Sequence, residues 1–290
     1  MRIVMENETI CNGSERSNGD DKLGFRIQRL SYPFSSSSLS RAFSPSKHIR
    51  HHFKPYSQTS PSNFSIKMTS SQTIEHIVLF KVKEDTDPSK VTAMVNGLNS
   101  LISLDQVLHL SVGPIFRNRS SSFTFTHLLH SRYNSKQDLE SYSAHPNHLS
   151  VVKGSVLPIV DDIMAVDWIA DDLTGDLVPP QGSAIRVSFL KLKENVGDQV
   201  KDEVIGVIKG IPDNFKGISQ LSVGENFSPA RAKGFSIASL AVFPGTSELE
   251  AVDSNPELVN YQKDKVRGYL ENVLVLDYVV PHVPAHSASL

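Results

Sequence analysis

Apolar and polar positions change period along this chain in a fixed order, and that order occurs twice. IEHIVLFKVKE at 74–84 matches AIRVSFLKLKE at 184–194, and LHLSVGPIF at 108–116 matches SQLSVGENF at 219–227. DLESYSAHPNHL at 138–149 matches ELEAVDSNPELV at 248–259, and IMAVDW at 163–168 matches VLVLDY at 273–278. The pairs lie 110 or 111 positions apart, the signature of an internal repeat. Within each unit, short β-rich runs such as HIVLFKVK and IRVSFLKLK read as strands. DPSKVTAMVNGLNSL has an Asp-Pro start and apolar Val91, Met94, Val95 and Leu98 at helical spacing, so it reads as a helix. SFTFTHLL alternates and predicts a strand with Phe123, Phe125 and His127 on one face. NSKQDLESYSAH predicts a helix from Ser135, and Pro146 favours a fresh helical start because its fixed φ suits a first turn.

Each unit therefore reads β-α-β-β-α-β, a ferredoxin-like α+β element with one sheet face covered by helices and one bare. Two such units in one chain can bury their bare faces against each other, as an α+β barrel of the dimeric type made within one molecule. We place the first domain at 73–170, a Pro/Gly/Asp-rich linker at 171–183, the second domain at 184–281 and a tail at 282–290. The expected assembly is this intramolecular pseudo-dimer, with a homodimer as the alternative.

Charge divides the chain. Residues 1–67 carry ten Lys/Arg and five Asp/Glu, and the rest carry nineteen and twenty-six, giving about +5 and −7. The mildly acidic body excludes a nucleic-acid surface, which needs clustered positive charge. No run approaches the 18 apolar residues of a membrane span. The only cysteine is Cys11, so the body has no disulfide, thiol nucleophile or thiolate metal site. Between Lys22 and Met68 there is no acidic residue, and the segment is rich in Ser, Arg, His and Pro. It is expected to be a disordered leader and to act as a chloroplast transit peptide. The final Ala-Ser-Leu approximates a peroxisomal address. A start at Met68 would reconcile the two.

The stretch YSAHPNHL, Tyr142 to Leu149, is the densest chemistry in the body. Tyr142 and His148 are six residues apart, about 120° from one face on an unbroken helix, and a break at Pro146 could aim both at one place. His145 reads as a cap or core residue. His127 and His130 fall on opposite faces of one strand and cannot share a metal. The second unit is an internal control: it keeps the proline as Pro256 but has Val252, Asn255 and Leu258 in place of Tyr142, His145 and His148. The fold thus does not need Tyr142 and His148, and at most one reactive site per chain is expected.

HIVLFK, FTHLLHSRYNS, YSAHPNHL and a closing strand ending in Asp-Trp together resemble the plant stress-response A/B barrel family, strongly over 74–170 and more weakly over 184–281. The resemblance implies a dimeric-type barrel linked to stress and defence. One relative, olivetolic acid cyclase, closes a linear polyketide by aldol condensation with a tyrosine and a histidine in this segment. By motif these fall on Tyr142 and His148, and a further histidine falls on His76. A base and a hydrogen-bond donor are what that chemistry needs. On β-period, His76 begins a strand whose inward face carries Val78, Phe80 and Val82, which would place it at the mouth of the barrel cavity. No cofactor is required. The resemblance does imply magnesium in some members, on main-chain carbonyls that fall near Leu101, Leu104 and Val107. Three readings stand: a binder of a small apolar or polyketide-like ligand, a cyclase-like enzyme, and a non-catalytic scaffold.

Overall fold

The computed structural model describes residues 72–282, apart from 121, 172, 258, 259 and 261–264. The expected leader, the Met68 start and the address at the C-terminal end lie outside the described residues. The first unit runs β1 (Thr73–Val82), α1 (Pro88–Ser100), β2 (His109–Asn118), β3 (His127–Tyr133), α2 (Lys136–Ala144), α3 (Pro146–Val151) and β4 (Val160–Ala170). The second runs β5 (Ala184–Leu192), α4 (Asp198–Lys209), α5 (Ile211–Asn214), β6 (Gln220–Glu225), β7 (Ile237–Phe243), α6 (Thr246–Asp253) and β8 (Leu270–Val279). Among the described residues, no helix is long and apolar enough to cross a membrane.

Local chemistry sets these elements. Asp87 caps α1, its carboxylate accepting from the Ser89 amide at 2.8 Å, and Pro88 fills the first turn, where a missing N–H costs nothing. Met94 and Leu98 are the buried face of α1, each worth roughly 1.5–3 kcal/mol of burial. The alternating run before His127 is not strand. Residues 122–126 are irregular, and Phe125 turns into the core with Phe123 stacked on it at 5.9 Å. Alternation there came from two aromatics packing together, not from a pleat.

The strands form one sheet in the order β4-β1-β3-β2-β8-β5-β7-β6, with every pair antiparallel. The end of β2 crosses to the second unit, where Ile115, Arg117 and Asn118 pair with Tyr278, Asp277 and Leu276 of β8. The same crossing is made in reverse. Asn226 bridges Trp168, and the Phe227 amide donates to the Asp167 carbonyl at 3.0 Å, joining β6 to β4. The two joints close the sheet into a barrel. Both halves carry a register shift at the matching place, Lys81/Val82 in β1 and Lys191/Leu192 in β5.

Ile77, Leu79 and Leu128 of the first unit meet Ile185, Val187 and Leu240 of the second inside the barrel. This corrects the expected facing of β1. Val78, Phe80 and Val82 do share one face with His76, but that face packs against the first unit's helices with Met94, Leu98 and Tyr142. Ile77 and Leu79, the odd-numbered apolar residues of β1, fill the barrel against the other unit.

Candidate functional site

Pro146 ends α2 and starts α3. Between them His145 is extended, and its ring Nδ1 accepts from the Asn147 amide at 3.2 Å, so it is the cap of α3. The break lets Tyr142, in the last turn of α2, face His148 on α3, with ring centroids 4.6 Å apart. Tyr142 is 1% exposed and also packs on Tyr133 at 5.2 Å. His76 reaches the same layer edge-on to Tyr133 at 6.2 Å. The three sequence-derived residues are thus brought to one helix–sheet layer of the first unit, not to the barrel interior.

Hydrogen bonds fix the roles of the rings. The His148 Nδ1–H donates to the Ser143 carbonyl at 3.0 Å, because a carbonyl can only accept. Nε2 is then the lone-pair nitrogen. Burial pushes the His148 imidazole down to about 4, with small help from His76 and Arg231 and against the pull of the Ser143 carbonyl. It is therefore neutral at pH 7. Burial likewise raises the Tyr142 phenol above its ordinary value. Its hydroxyl makes no hydrogen bond of strict geometry among the described residues, and its nearest polar neighbour is the Tyr133 hydroxyl, with which it forms at most a weak, poorly aligned hydrogen bond. The His76 Nδ1–H donates to the buried Asp167 carboxylate in a short contact. Burial alone would raise Asp167, but His76, the Ser228 side chain and Arg231 outweigh it and hold the carboxyl below its usual range.

Asp167, Tyr133, Ser228 and Arg231 escaped the sequence reading. One signal did point to Asp167: the repeat keeps an acid there in both halves, Asp167 and Asp277, while the strand opposite changes from His76 to Arg186. Ser228 and Arg231 could not be found that way, since they belong to the β6–β7 loop of the other half. That loop is clamped along β4 by the Asn226 side chain, which accepts from the Asp167 amide at 3.2 Å. Lys136 of α2 lies over the Phe227 ring at 4.1 Å.

The second half fills the matching place with charge. Arg186 donates to Asp277 at 2.7 and 3.1 Å and to Asp253 at 2.9 Å. Arg119, from the β2–β3 loop of the first half, donates to Asp277 at 2.8 Å and makes a short contact with Asp253. Asp253 stands where the first half has Ser143, and Val252 where it has Tyr142. Four interlocked charges close that layer. A neutral imidazole lone pair and a phenol with no well-formed hydrogen bond occupy the other.

The carbonyls of Leu101 and Leu104 accept from the Leu104 and Val107 amides at 3.1 and 2.9 Å. Each keeps a second lone pair for a hard cation. The nearest carboxylate in sequence, Asp105, is exposed. The fit to magnesium therefore rests on carbonyls alone, and no step below runs through it. Among the described residues, no cluster of three or more His, Cys, Asp or Glu could hold a metal. A surface groove of about 510 Å3, lined mainly by charged side chains such as Lys83, Glu84 and Lys90, shares no residue with the His76–Tyr142–His148 layer.

Comparison with known proteins fits this architecture. The stress responsive A/B barrel domain matches residues 74–170 and again 185–280. One stress-response A/B barrel domain-containing protein of Arabidopsis thaliana is 57% identical over 249 residues, 86% of this chain and 94% of that protein. A second from the same plant is 49% identical over 213 residues, 73% of this chain and 98% of its own. Among solved structures, a Fusobacterium nucleatum protein described as a monooxygenase candidate superposes with a TM-score of 0.53 at 12% identity, over 74% of this chain and 94% of that one. An anthrone oxidase-like protein does so with 0.52 at 13%, over 73% and 92%. At such identities the two structures speak for the fold alone. Two matched domains, two similar plant proteins and the closed tandem barrel lead to one conclusion: the chain belongs to the stress-response A/B barrel domain family.

Proposed function

We propose that the first half binds a small, largely apolar ligand bearing a carbonyl or hydroxyl oxygen, between α2, α3 and the outer face of its sheet. One observation carries this reading. The second half fills the equivalent layer with its own ion pairs, whereas the first leaves the buried Tyr142 hydroxyl without a hydrogen bond of strict geometry among the described residues, beside the part-exposed ring of His148. Buried polar atoms with no partner are uncommon in folded proteins and call for an explanation. A ligand oxygen accepting from Tyr142, or donating to His148, supplies one.

A second reading follows from the fixed tautomer of His148. A neutral Nε2 held by the Ser143 carbonyl can remove a carbon-bound proton next to a ligand carbonyl, and the Tyr142 hydroxyl can donate to the oxygen on which charge develops. That is the chemistry of an intramolecular aldol closure, as in a polyketide cyclase. The proton moves from ligand carbon to Nε2 and is returned to the alkoxide of the new bond.

The test is a thermal-shift screen on the full chain, wild type beside a Tyr142→Phe/His148→Ala double variant, against aromatic lactones and phenols. A ligand of the native state raises the midpoint in proportion to RT ln(1 + [L]/Kd). The reading expects a shift in wild type that the double variant loses. An equal shift in both places binding elsewhere and overturns it. Plastid and peroxisomal addressing by residues 1–67 and the last three residues is part of the proposal. It is checked by imaging fluorescent fusions at either end, and a purely cytosolic signal from both would remove it.

A further inference from the structure

The layer of Tyr142 and His148 is shut. The Tyr142 hydroxyl is buried, and the charged surface groove shares no residue with it. A ligand of that layer therefore enters only when a bordering element moves, and those elements are held unequally. α1 buries Met94 and Leu98, and α2 buries Leu139 and Tyr142. α3 buries nothing. From Pro146 to Ser155 no residue is buried, and Leu149 is 54% exposed. Yet this stretch lies over Tyr142 through the His148 ring at 4.6 Å. Among the described residues, one hydrogen bond ties it to another element, from the His148 Nδ1–H to the Ser143 carbonyl at 3.0 Å. Its other seat is a close approach of Val151 to α1, where a Cβ on Gly97 would lie 3.2 Å from a Val151 methyl. Both ends of the stretch interrupt regular helix. His145 is extended ahead of Pro146, and a π-helical turn, Val152–Val156, follows α3 with the exposed Gly154 inside it. Past that turn the chain is anchored again. Val156 and Ile159 are buried, and the side chain and amide of Lys83 donate to the Pro158 and Ile159 carbonyls at 2.9 and 3.0 Å.

We infer that α3 and the π-helical turn form a lid over Tyr142, hinged at His145–Pro146 and within Val152–Val156, and latched by His148 on the Ser143 carbonyl. Segments that open without global unfolding are those with few buried apolar contacts, and this one has no buried residue between two buried flanks, Tyr142 and Val156. A π turn is rare and recurs at functional sites, and a glycine within it weakens the helical state further. Opening swings His148 off Tyr142 and bares the phenol. The latch and the ring that faces the ligand are thus one residue. The lid supplies the entry that the ligand-site reading requires, and it rests on that reading for its purpose alone. The opening itself belongs to the free chain.

The experiment is hydrogen–deuterium exchange of the full chain carrying Cys11→Ser, beside the same chain with Gly97→Cys/Val151→Cys, whose sulfurs come within disulfide reach across the seat of the lid. Without the pair, residues 147–157 are expected to exchange about a hundredfold faster than Pro88–Ser100 of α1. The oxidised pair is expected to slow that stretch about tenfold or more, and reduction to restore it. Gly154→Ala, whose added Cβ meets nothing within 4 Å, is expected to slow it about fivefold, the Gly–Ala difference in helix propensity. Calorimetry with 2-naphthol on the oxidised and reduced pair then reads entry, and binding is expected in the reduced form alone. Exchange that responds to the disulfide, with no naphthol bound by either form, supports the lid and counts against the ligand site. Exchange of 147–157 as slow as that of α1, or exchange indifferent to the disulfide, overturns the lid. Naphthol binding undiminished by the disulfide also overturns it, and leaves the ligand site standing.

Discussion

His148 is the residue whose surroundings make the sharpest statement. Its imidazole titrates near 4 in the folded chain and near 6.5 when unfolded. As pH falls from 6.5 to 4 the unfolded chain takes up a proton that the folded chain refuses. Stability therefore declines through that window and is complete above it. Replacing His148 with Ala removes this contribution. The difference in unfolding free energy between wild type and variant should shift across pH 6.5 to 4 in the variant's favour, as read by urea titration at each pH. At pH 7 the variant should lose less than about 3 kcal/mol, since Leu258 stands at the matching position of the second half. The same figures imply that His148 stays a neutral lone-pair donor down to about pH 4. At this scale the sequence was informative where the repeat offered a comparison: Tyr142, His145 and His148 stood out against Val252, Asn255 and Leu258. It was silent on Arg231, because proximity across halves leaves no mark on local spacing.

At the scale of elements, the order of strands and helices was legible from period alone, and so was the break at Pro146. The facing of β1 was not. Both of its faces are buried, one by helices and one by the other unit, so hydrophobic alternation carries no information about which is which. His76 read as leading into the barrel, when its face looks outward to α2. The seams between the halves were equally unreadable, because each is made by a few residues beyond a strand's regular pairing. Two glycines sit at those seams in matching positions. A Cβ on Gly224 would lie 2.8 Å from the Ile169 carbonyl oxygen, backbone of the facing strand, whereas one on Gly113 would meet the side chains of Pro281 and Tyr278 at 3.2 and 3.3 Å. Side chains can shift and a strand carbonyl cannot. Gly224→Ala should cost about 1–3 kcal/mol and Gly113→Ala less, measured by chemical denaturation of the two variants side by side.

At the scale of the molecule, one buried charge group inside the barrel spans both halves. Arg132 donates to Glu75 at 2.9 Å, and the His130 Nε2–H donates to Glu75 at 2.7 Å. The Ser222 hydroxyl and the Gln220 carboxamide of the second half complete the set, at 3.0 Å to Glu75 and 2.7 Å to Arg132. A further bond from Arg132 at 2.8 Å holds the Leu177 carbonyl of the linker. Burial alone would raise the Glu75 carboxyl, but Arg132 and His130 reverse this and keep it far below the ordinary range. In the second half the three matching positions are Ile185, Leu240 and Val242. Glu75→Gln leaves the Arg132 charge buried without its counter-ion and should cost about 3–5 kcal/mol. Replacing all three with their second-half counterparts, Glu75→Ile, His130→Leu and Arg132→Val, should cost less than the single change. Denaturant midpoints of the two proteins decide this, and a triple variant that is the less stable of the two refutes it.

The ion-pair plug of the second half bears on how such a protein answers concentration. Two identical half-sites sharing one barrel could communicate, with the first occupancy easing or hindering the second, and saturation could become sigmoidal. Here Asp253 holds one of them shut for good. A chain with a single open position can only fill along a simple hyperbola. On the proposed reading it would report a ligand in graded fashion, without a threshold, each molecule carrying one equivalent at most.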